Sequence, residues 1–291
     1  MVREAIARKM TVYCLTEHMP RGPENLYPEE LAMGKDQLSH TSPEQTSHYL
    51  FQLFDDYYHE ALRLREKYAD EITILIGMEV DWISPSSQSL IQDLLKKYPL
   101  DLFIGSVHHV RSIPIDYSAD MFQQAVQECK GTEEKLFEDY FDLQYEMLRA
   151  LKPPVVGHFD LIRLKSQSPN DSVHRYPEAW EKALRNISFV IEYGGIFEIN
   201  SAALRKGLTE PYPMADLCDE IASRKGRFVL SDDAHGVDQV GTNYVKVMEF
   251  CQQAGIASVT AFQRETMGVT LQSVSVTELW KHPFFLDKSC V

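Results

Sequence analysis

Short apolar runs alternate with longer segments in which apolar residues recur at helical spacing along most of the chain. The runs are rich in β-branched residues and nearly continuous in hydrophobicity, which is typical of parallel strands that are buried on both faces. The predicted strands are residues 11–15, 72–78, 100–104, 154–156, 196–199 and 228–230, with a weaker one at 258–262. Helical spacing predicts helices over residues 50–62, 136–151 and 244–251.

This alternation of strand and helix predicts an α/β protein with a parallel sheet and crossover helices. Six or seven repeats favour a closed β/α barrel over an open doubly wound sheet, and the chain contains no glycine-rich phosphate loop of the kind that open sheets use. Polar segments at 20–46 and 166–176 follow strand ends, so we expect long loops on the face where barrel enzymes build their sites. No linker or internal repeat interrupts the pattern, which predicts a single domain over residues 1–291.

Five of the predicted strands are followed directly by a polar cluster that contains a side chain able to bind a metal ion. Because the carboxyl ends of barrel strands meet on one face, we expect these clusters to converge there. Imidazole and carboxylate are ligands of zinc, manganese and iron, and a carboxylate can bridge two ions. The clusters are Thr16-Glu17-His18, Gly77-Met78-Glu79-Val80-Asp81, Gly105-Ser106-Val107-His108-His109, Gly157-His158-Phe159-Asp160 and Ser231-Asp232-Asp233-Ala234-His235.

Neighbouring residues within a cluster cannot all face the same ion. Successive strand side chains point to opposite faces, so we expect only one of His108 and His109 to be a ligand. For Asp81 and Asp232, a hydrogen bond to loop backbone is as good an interpretation as a role beside the metal. Glu79 and Asp233 are the candidates for bridging carboxylates.

Composition narrows the function further. The chain of 291 residues has a net charge of −14 and no stripe of basic residues, which argues against a nucleic-acid partner. It has no apolar run long enough for a membrane span and no signal peptide, so we expect a cytosolic protein with no membrane partner. The five cysteines form no Cys-x-x-Cys motif, and we expect them to be buried free thiols.

The ordered set of motifs resembles the polymerase and histidinol phosphatase superfamily. The matching segments are Thr-Glu-His, Gly-Met-Glu-Val-Asp, Gly-Ser-Val-His, Gly-His-x-Asp-Leu and Asp-Ala-His, and the resemblance runs from about residue 5 to residue 270. The run His18-Met19-Pro20-Arg21, with Leu26 to Glu30 and with Gly157 to Arg163, is similar to the fungal-type histidinol-phosphate phosphatases.

The resemblance implies a distorted seven-stranded β/α barrel with up to three divalent ions, of zinc, manganese or iron, at its C-terminal face. It implies a small-molecule phosphate ester as substrate, L-histidinol phosphate, whose phosphorus is attacked in line by a metal-activated hydroxide. Glu79, Asp233 and His235 are expected to act in catalysis. The implied metal ligands are His18, Glu79, His108, His158, Asp233 and His235.

Basic and acidic residues near the clusters suggest how a substrate would be held. Arg163 and Arg205 follow strands and carry a planar fork suited to phosphate, and Arg21 and Lys206 are weaker candidates for the same role. An ordinary ion pair is the alternative for each. The amine of the substrate would favour an acidic neighbour, and Glu17, Asp160 and Glu198 are the candidates.

One family motif has no counterpart in the chain. Members of the superfamily open with a strand that ends in His-x-His, and Met1 falls where the next helix is expected to be under way. We therefore expect the first barrel strand to be missing, with an upstream stretch left out of the sequence as the preferred explanation. By the family scheme only the site of Glu79, His108 and His158 is then complete, which predicts weak or absent phosphatase activity for this chain.

Two other functions stay open at this point. Another barrel metallohydrolase, such as an amidohydrolase, would use a lysine at a strand end, and none is present. A catalytically inactive relative that binds a phosphorylated metabolite or a protein partner is the alternative from a different class. Oligomeric state is not indicated by the sequence.

Overall fold

The computed structural model describes residues 1–30, 42–265 and 268–286, and its centre is a curled sheet of six parallel strands. The order across this sheet is β1-β2-β3-β6-β7-β8, so each strand lies beside its neighbour in the chain apart from a hairpin that is inserted after β3. All ten described strands, in chain order, are β1 (Val12–His18), β2 (Thr73–Asp81), β3 (Leu102–Ser106), β4 (His109–Val110), β5 (Ile113–Pro114), β6 (Val155–Val156), β7 (Ile196–Asn200), β8 (Arg227–Ser231), β9 (Ser258–Glu265) and β10 (Gly268–Ser275).

The register of the sheet brings the polar strand ends to one edge. His18 at the end of β1 is paired with Glu79 on β2, and Asp81 is paired with Ser106 at the end of β3. Since all six strands run in parallel, the side chains that follow each strand are held on the same face. The sheet curves enough for one cavity to be lined by residues of every one of its strands.

Helices cover the outer face of the sheet and have clear sequence signals at their ends. Ser42 and Gln45 form a reciprocal capping box at the start of the longest described helix, with Pro43 at its first position. Gly194 ends another helix with φ +80°, a conformation that favours glycine. The helices are Val2–Ala7, Pro43–Lys67, Ser87–Lys97, Ala119–Glu128, Glu133–Leu151, Pro177–Tyr193, Ala202–Arg205, Ala215–Ser223, Tyr244–Gln253, Val276–Leu279 and Pro283–Leu286, and the 3-10 helices are Pro23–Asn25, Leu161–Lys165, Val173–Arg175 and Val237–Gln239.

Two apolar layers hold the sheet in place. The larger one packs the helices against the outer face and includes the fully buried Phe141, Phe159 and Phe197. The smaller one lies on the concave face around Leu75 and Leu102, beside the cavity. Strands that are buried on both faces in this way produce the continuous apolar runs seen in the sequence.

The α/β class, the parallel sheet and six of the predicted strands are confirmed by the structure. The weak strand predicted at 258–262 exists, but the prediction that it runs parallel with the others is wrong: it belongs to β9, which pairs antiparallel with β10. Six strands of the parallel sheet lie in the described residues, and a seventh stays a prediction.

Several smaller predictions can also be compared with the structure. Cys129, Cys218 and Cys251 are buried free thiols as predicted, Cys14 is only partly buried, and Cys290 lies outside the described residues. The loop predicted at 20–46 falls partly outside them as well, since residues 31–41 are not described. Within the described ranges, no helix combines the length and the apolar character that crossing a membrane would need.

Candidate metal centre

Three ligand-type side chains from different strands meet at the carboxyl edge of the sheet. The Nε2 atom of His158 lies 3.0 Å from Oε1 of Glu79 and 3.1 Å from Nε2 of His108, and the same Glu79 oxygen lies 3.5 Å from His108 Nε2. Glu79 belongs to β2, His108 comes two residues after β3, and His158 two residues after β6. All three side chains are buried, and the parallel sheet brings their backbones to the same edge.

The spacing of these atoms suits a single divalent ion. Two ligand atoms bound to one zinc ion at tetrahedral angles lie roughly 3.4 Å apart, given zinc–ligand bonds of about 2.0–2.1 Å. The three observed separations of 3.0, 3.1 and 3.5 Å are close to that value. Among the residues that the structure describes, these three are the set that gathers within the span of one ion.

The carboxylate of Glu79 faces ligands on two sides. While Oε1 faces the two buried histidines, Oε2 lies 3.5 Å from Nδ1 of His18, at the end of β1. The His18 ring in turn lies 5.7 Å, centroid to centroid, from the ring of His235. A carboxylate that presents one oxygen to each of two imidazole groups has the shape of a bridging ligand.

Asp233 and His235 lie on the loop after β8, at the same edge. His235 Nδ1 lies 3.5 Å from the Asp233 carboxylate and 3.0 Å from its carbonyl oxygen, and the His235 side chain is more than half exposed. Asp233 adopts a left-handed conformation with φ 47°. The Arg205 guanidinium donates to the carbonyl oxygens of Asp232 and Asp233, which holds this loop beside the cluster.

Asp81 supports the cluster from behind. Its carboxylate is buried, accepts the backbone N–H of His108 at 3.4 Å, and lies 3.4 Å from Nδ1 of His108 and 3.2 Å from Nδ1 of His109. A carboxylate behind a metal-binding histidine fixes the orientation of its ring. The structure thus separates the adjacent histidines: the ring of His108 faces Glu79, and that of His109 lies against Asp81 and Tyr27.

Burial and mutual charge shift the pKa values of these groups strongly. Burial lowers the pKa of His108, but the Asp81 and Glu79 carboxylates outweigh it and raise that pKa to about 9. Burial would raise the pKa of Glu79, yet the surrounding imidazoles of His18, His158 and His108 hold it well below its usual range. A buried carboxylate that stays ionised among imidazoles is ready to bind a cation.

Gly157 allows the chain to bring His158 into the cluster. A Cβ atom at this position would lie 2.4 Å from Ser106 Oγ and 2.9 Å from Ile104 Cγ2, both inside van der Waals contact. The backbone N–H of His158 then donates to Glu198 Oε2 at 2.7 Å, an oxygen that also accepts from Asn200 Nδ2. Glu198 and Asn200 therefore hold the His158 backbone in place and were not predicted to do so.

We expect Gly157→Ala to destabilise the protein by about 1–3 kcal/mol, because the added methyl group has no room without a backbone shift. Thermal unfolding and the zinc content after dialysis should both fall, since His158 moves with its backbone. The double variant Ser106→Ala/Gly157→Ala should recover part of both losses by removing the closest clash. Full stability and zinc content in Gly157→Ala would contradict this account of the glycine.

The predicted phosphate-binding residues differ in burial and in how many protein groups they already bind. Arg163 is fully buried, and its guanidinium donates to Asp160 Oδ2 and to the carbonyl oxygens of Pro169, Glu210 and Pro211. Arg205 is partly exposed and uses two hydrogen bonds on the loop after β8. Arg21 is buried against Asp81 and Glu30, and Lys206 is exposed.

The three predicted acceptors for the substrate amine also differ in burial and in the partners that they already have. Asp160 is fully buried and faces Arg163, and Glu198 is engaged with the His158 backbone. Glu17 is exposed and accepts the backbone N–H of His18. Sequence reasoning missed three residues near the site: Tyr27, whose ring lies beside that of His109, Tyr212, whose ring lies beside that of His158, and Asp116, whose charge acts on His108. None of them directly follows a strand of the parallel sheet, so the pattern gave no signal for them.

The cluster opens into a cavity of about 750 Å³ on the concave side of the sheet. Its polar end is lined by Glu79, His158, Glu198 and Asp233, and its apolar end by strand residues such as Leu75. This volume lies within the range of about 300–1,000 Å³ that is usual for small-molecule sites.

One family model and several known proteins are similar to this chain in sequence. The family model described as "PHP domain" matches residues 1–202. A protein of Schizosaccharomyces pombe named "Probable histidinol-phosphatase" is 41% identical over 284 residues, which cover 96% of this chain and 89% of that protein. The "Histidinol-phosphatase" of Saccharomyces cerevisiae is 33% identical over 319 residues, covering 99% of this chain and 93% of that protein.

A solved structure supports the same fold. The crystal structure of histidinol phosphate phosphatase from Lactococcus lactis, complexed with zinc, L-histidinol and phosphate, aligns with a TM-score of 0.61 at 18% sequence identity. The alignment covers 92% of this chain and 90% of that one.

Proposed function

The chain belongs to the PHP domain family, and from that premise we propose that it is a histidinol-phosphatase, which hydrolyses L-histidinol phosphate to L-histidinol and phosphate with the help of divalent metal ions. The observation that carries the proposal is the convergence of Glu79, His108 and His158 within the span of one ion, in a chain that is 41% identical to a protein with that name. Neither the cluster nor the likeness alone would identify the reaction.

Residues on both sides of the Glu79 carboxylate would hold the metal ions. One ion would be held by Glu79 with His108 and His158, and a second by Glu79 with His18, and with Asp233 and His235 from the loop after β8. When bound, such ions activate water and neutralise the charge of the phosphoryl oxygens. Zinc is the metal of the L. lactis structure, and zinc, manganese and iron all suit this set of nitrogen and oxygen ligands.

The chain's own residues would orient the ester at this edge. Asp233 and His235 lie beside the opening of the cavity, which supports their predicted catalytic role, and the side chain of His235 is exposed enough to reach a substrate. Arg205 is the better placed of the two predicted phosphate-binding arginines, because only two of its N–H groups are used on the adjacent loop. For Arg163, phosphate contact stays a prediction that would require it to give up bonds to carbonyl oxygens.

Three further predictions from the sequence remain predictions. A single domain over residues 1–291, a cytosolic location and the absence of a nucleic-acid partner are compatible with a biosynthetic phosphatase of small molecules. The weak turnover expected from the family scheme is likewise a prediction, and the assay below measures it.

The proposal is tested by phosphate release from L-histidinol phosphate by the purified chain loaded with zinc or manganese. We expect release that stops when a chelator removes the metal and returns when the metal is restored, with a higher kcat/KM for this ester than for a simple alkyl phosphate. The absolute rate decides whether turnover is weak. No release with any of zinc, manganese and iron, from protein that retains metal, would contradict the proposal.

A further inference from the structure

Two of the buried polar atoms that have no hydrogen-bond partner among the described residues belong to side chains outside the proposed ligand set, near the cluster. They are Oδ1 of Asp116 and the hydroxyl oxygen of Tyr212. Tyr212 is fully buried, whereas the Asp116 residue as a whole is only partly buried. An unsatisfied buried polar atom is costly, and at a functional site it indicates a group that arrives with a ligand.

The fold holds both side chains next to the metal-binding histidines. The backbone N–H of Ile115 donates to the carbonyl oxygen of His108 at 2.9 Å, which ties the segment before Asp116 to the ligand. Tyr212 is fixed by two backbone hydrogen bonds to Asn200 at the end of β7, and its ring lies 6.3 Å from that of His158. Asp116 and Tyr212 therefore lie on the side of the cluster that is formed by His108 and His158.

The charge of Asp116 acts on groups on this side of the cluster. After burial itself, the Asp116 carboxylate is the largest influence that raises the pKa of Tyr27, and it also raises the pKa values of Tyr212 and His108. The ring of Tyr27 lies 5.8 Å from that of Tyr117, beside Asp116 in sequence. A carboxylate in a segment that also carries aromatic rings favours an organic cation, because the anion and the ring faces both attract positive charge.

We propose that Asp116 binds the ammonium group of the substrate, with Tyr212 and Tyr27 lining that part of the site. This inference rests on the proposed function. In L-histidinol phosphate the ammonium is carried by the carbon next to the CH₂ that bears the phosphate, so it must lie close to the metal ions. Asp116, one hairpin away from His108, is near enough, while Asp160 is fully buried and Glu198 is engaged with the His158 backbone.

The test compares two esters in the metal-loaded protein. L-histidinol phosphate carries the ammonium, and 3-(imidazol-4-yl)propyl phosphate is the same molecule without it. We expect Asp116→Asn to lower the ratio of kcat/KM for the first ester to that for the second by roughly 10- to 100-fold, mostly through KM, because a hydrogen bond to a charged group is lost. Asp120→Asn, the same change at an exposed residue four positions on, should leave the ratio as it is.

A binding measurement makes the result independent of turnover. Calorimetry with L-histidinol should show a comparable loss of affinity in Asp116→Asn, whereas the alcohol without the amine should bind both proteins equally. Failure of the wild-type protein to hydrolyse either ester would contradict the proposed function, and calorimetry would still decide on Asp116. An unchanged ratio together with unchanged histidinol affinity in Asp116→Asn would overturn this inference alone, and an equal loss for both molecules would assign Asp116 to the imidazole or to the fold.

Discussion

Replacing Glu79 with glutamine is expected to remove the metal from the protein and to lower phosphatase activity by roughly 10²–10³-fold or more, the range seen when a group that stabilises transition-state charge is lost. Glutamine keeps the size of the side chain but has one neutral acceptor oxygen in place of a charged pair. Oε1 faces His108 and His158 and Oε2 faces His18, so the change affects both sides of the carboxylate at once.

In the metal-free protein Glu79→Gln should also lower the free energy of unfolding. Glu79 is a buried charge whose ionised form is favoured by three surrounding imidazoles, and these would lose their counter-charge in the variant. Zinc content by atomic absorption and the rate of phosphate release are the two measurements that decide. Zinc and activity retained together in Glu79→Gln would show that the cluster is not the catalytic metal centre.

A matched control is available in the helix Glu133–Leu151. Glu138 is also a buried glutamate, paired with Lys135 at 2.6 Å and Lys182 at 3.5 Å, but it has no contact with the cluster. Glu138→Gln should lower stability modestly and leave the zinc content unchanged. A loss of zinc in both variants would indicate that the fold, and not the carboxylate, determines metal binding.

Much of this architecture could be predicted from the sequence because it depends on local patterns. The runs that became β2 and β7 are buried on both faces, so their hydrophobicity is continuous and easy to recognise. The position of a residue after a parallel strand then places it on the active face. That is enough to find Glu79, His108 and His158, and strand alternation is enough to expect only one of His108 and His109 in the cluster.

The parts that could not be predicted depend on contacts between distant segments. The Arg163 guanidinium donates to the nearby Asp160 and also to the carbonyl oxygens of Glu210 and Pro211. No periodicity in the sequence predicts the contacts with these two distant residues. Asp116 follows a two-residue strand of the hairpin that is inserted after β3, where the strand pattern is too short to be seen. The role of Gly157 depends on how closely Ser106 approaches it.

Arg163→Ala is expected to lower the free energy of unfolding by about 3–5 kcal/mol, the cost of breaking a buried ion pair by removing one partner. Asp160 would be left with an uncompensated buried carboxylate, and the carbonyl oxygens of Pro169 and Pro211 would lose their donors. The pKa of Asp160 is already raised by burial, with the Arg163 charge opposing that shift, so the carboxyl group of the variant should take up a proton at higher pH.

Comparison with milder variants separates this structural role from phosphate binding. Arg163→Lys keeps the charge beside Asp160 but cannot reach all three carbonyl oxygens, so an intermediate loss is expected. Arg185→Ala removes a partly exposed arginine that also bonds an aspartate, Asp142, and a carbonyl oxygen, and should cost only about 1 kcal/mol.

Denaturant unfolding gives the stabilities, and KM for L-histidinol phosphate gives the binding. If Arg163 clamps phosphate instead of holding the loops together, Arg163→Ala will unfold like the wild type and show a raised KM. The buried position of its guanidinium and its four protein partners lead us to expect the reverse.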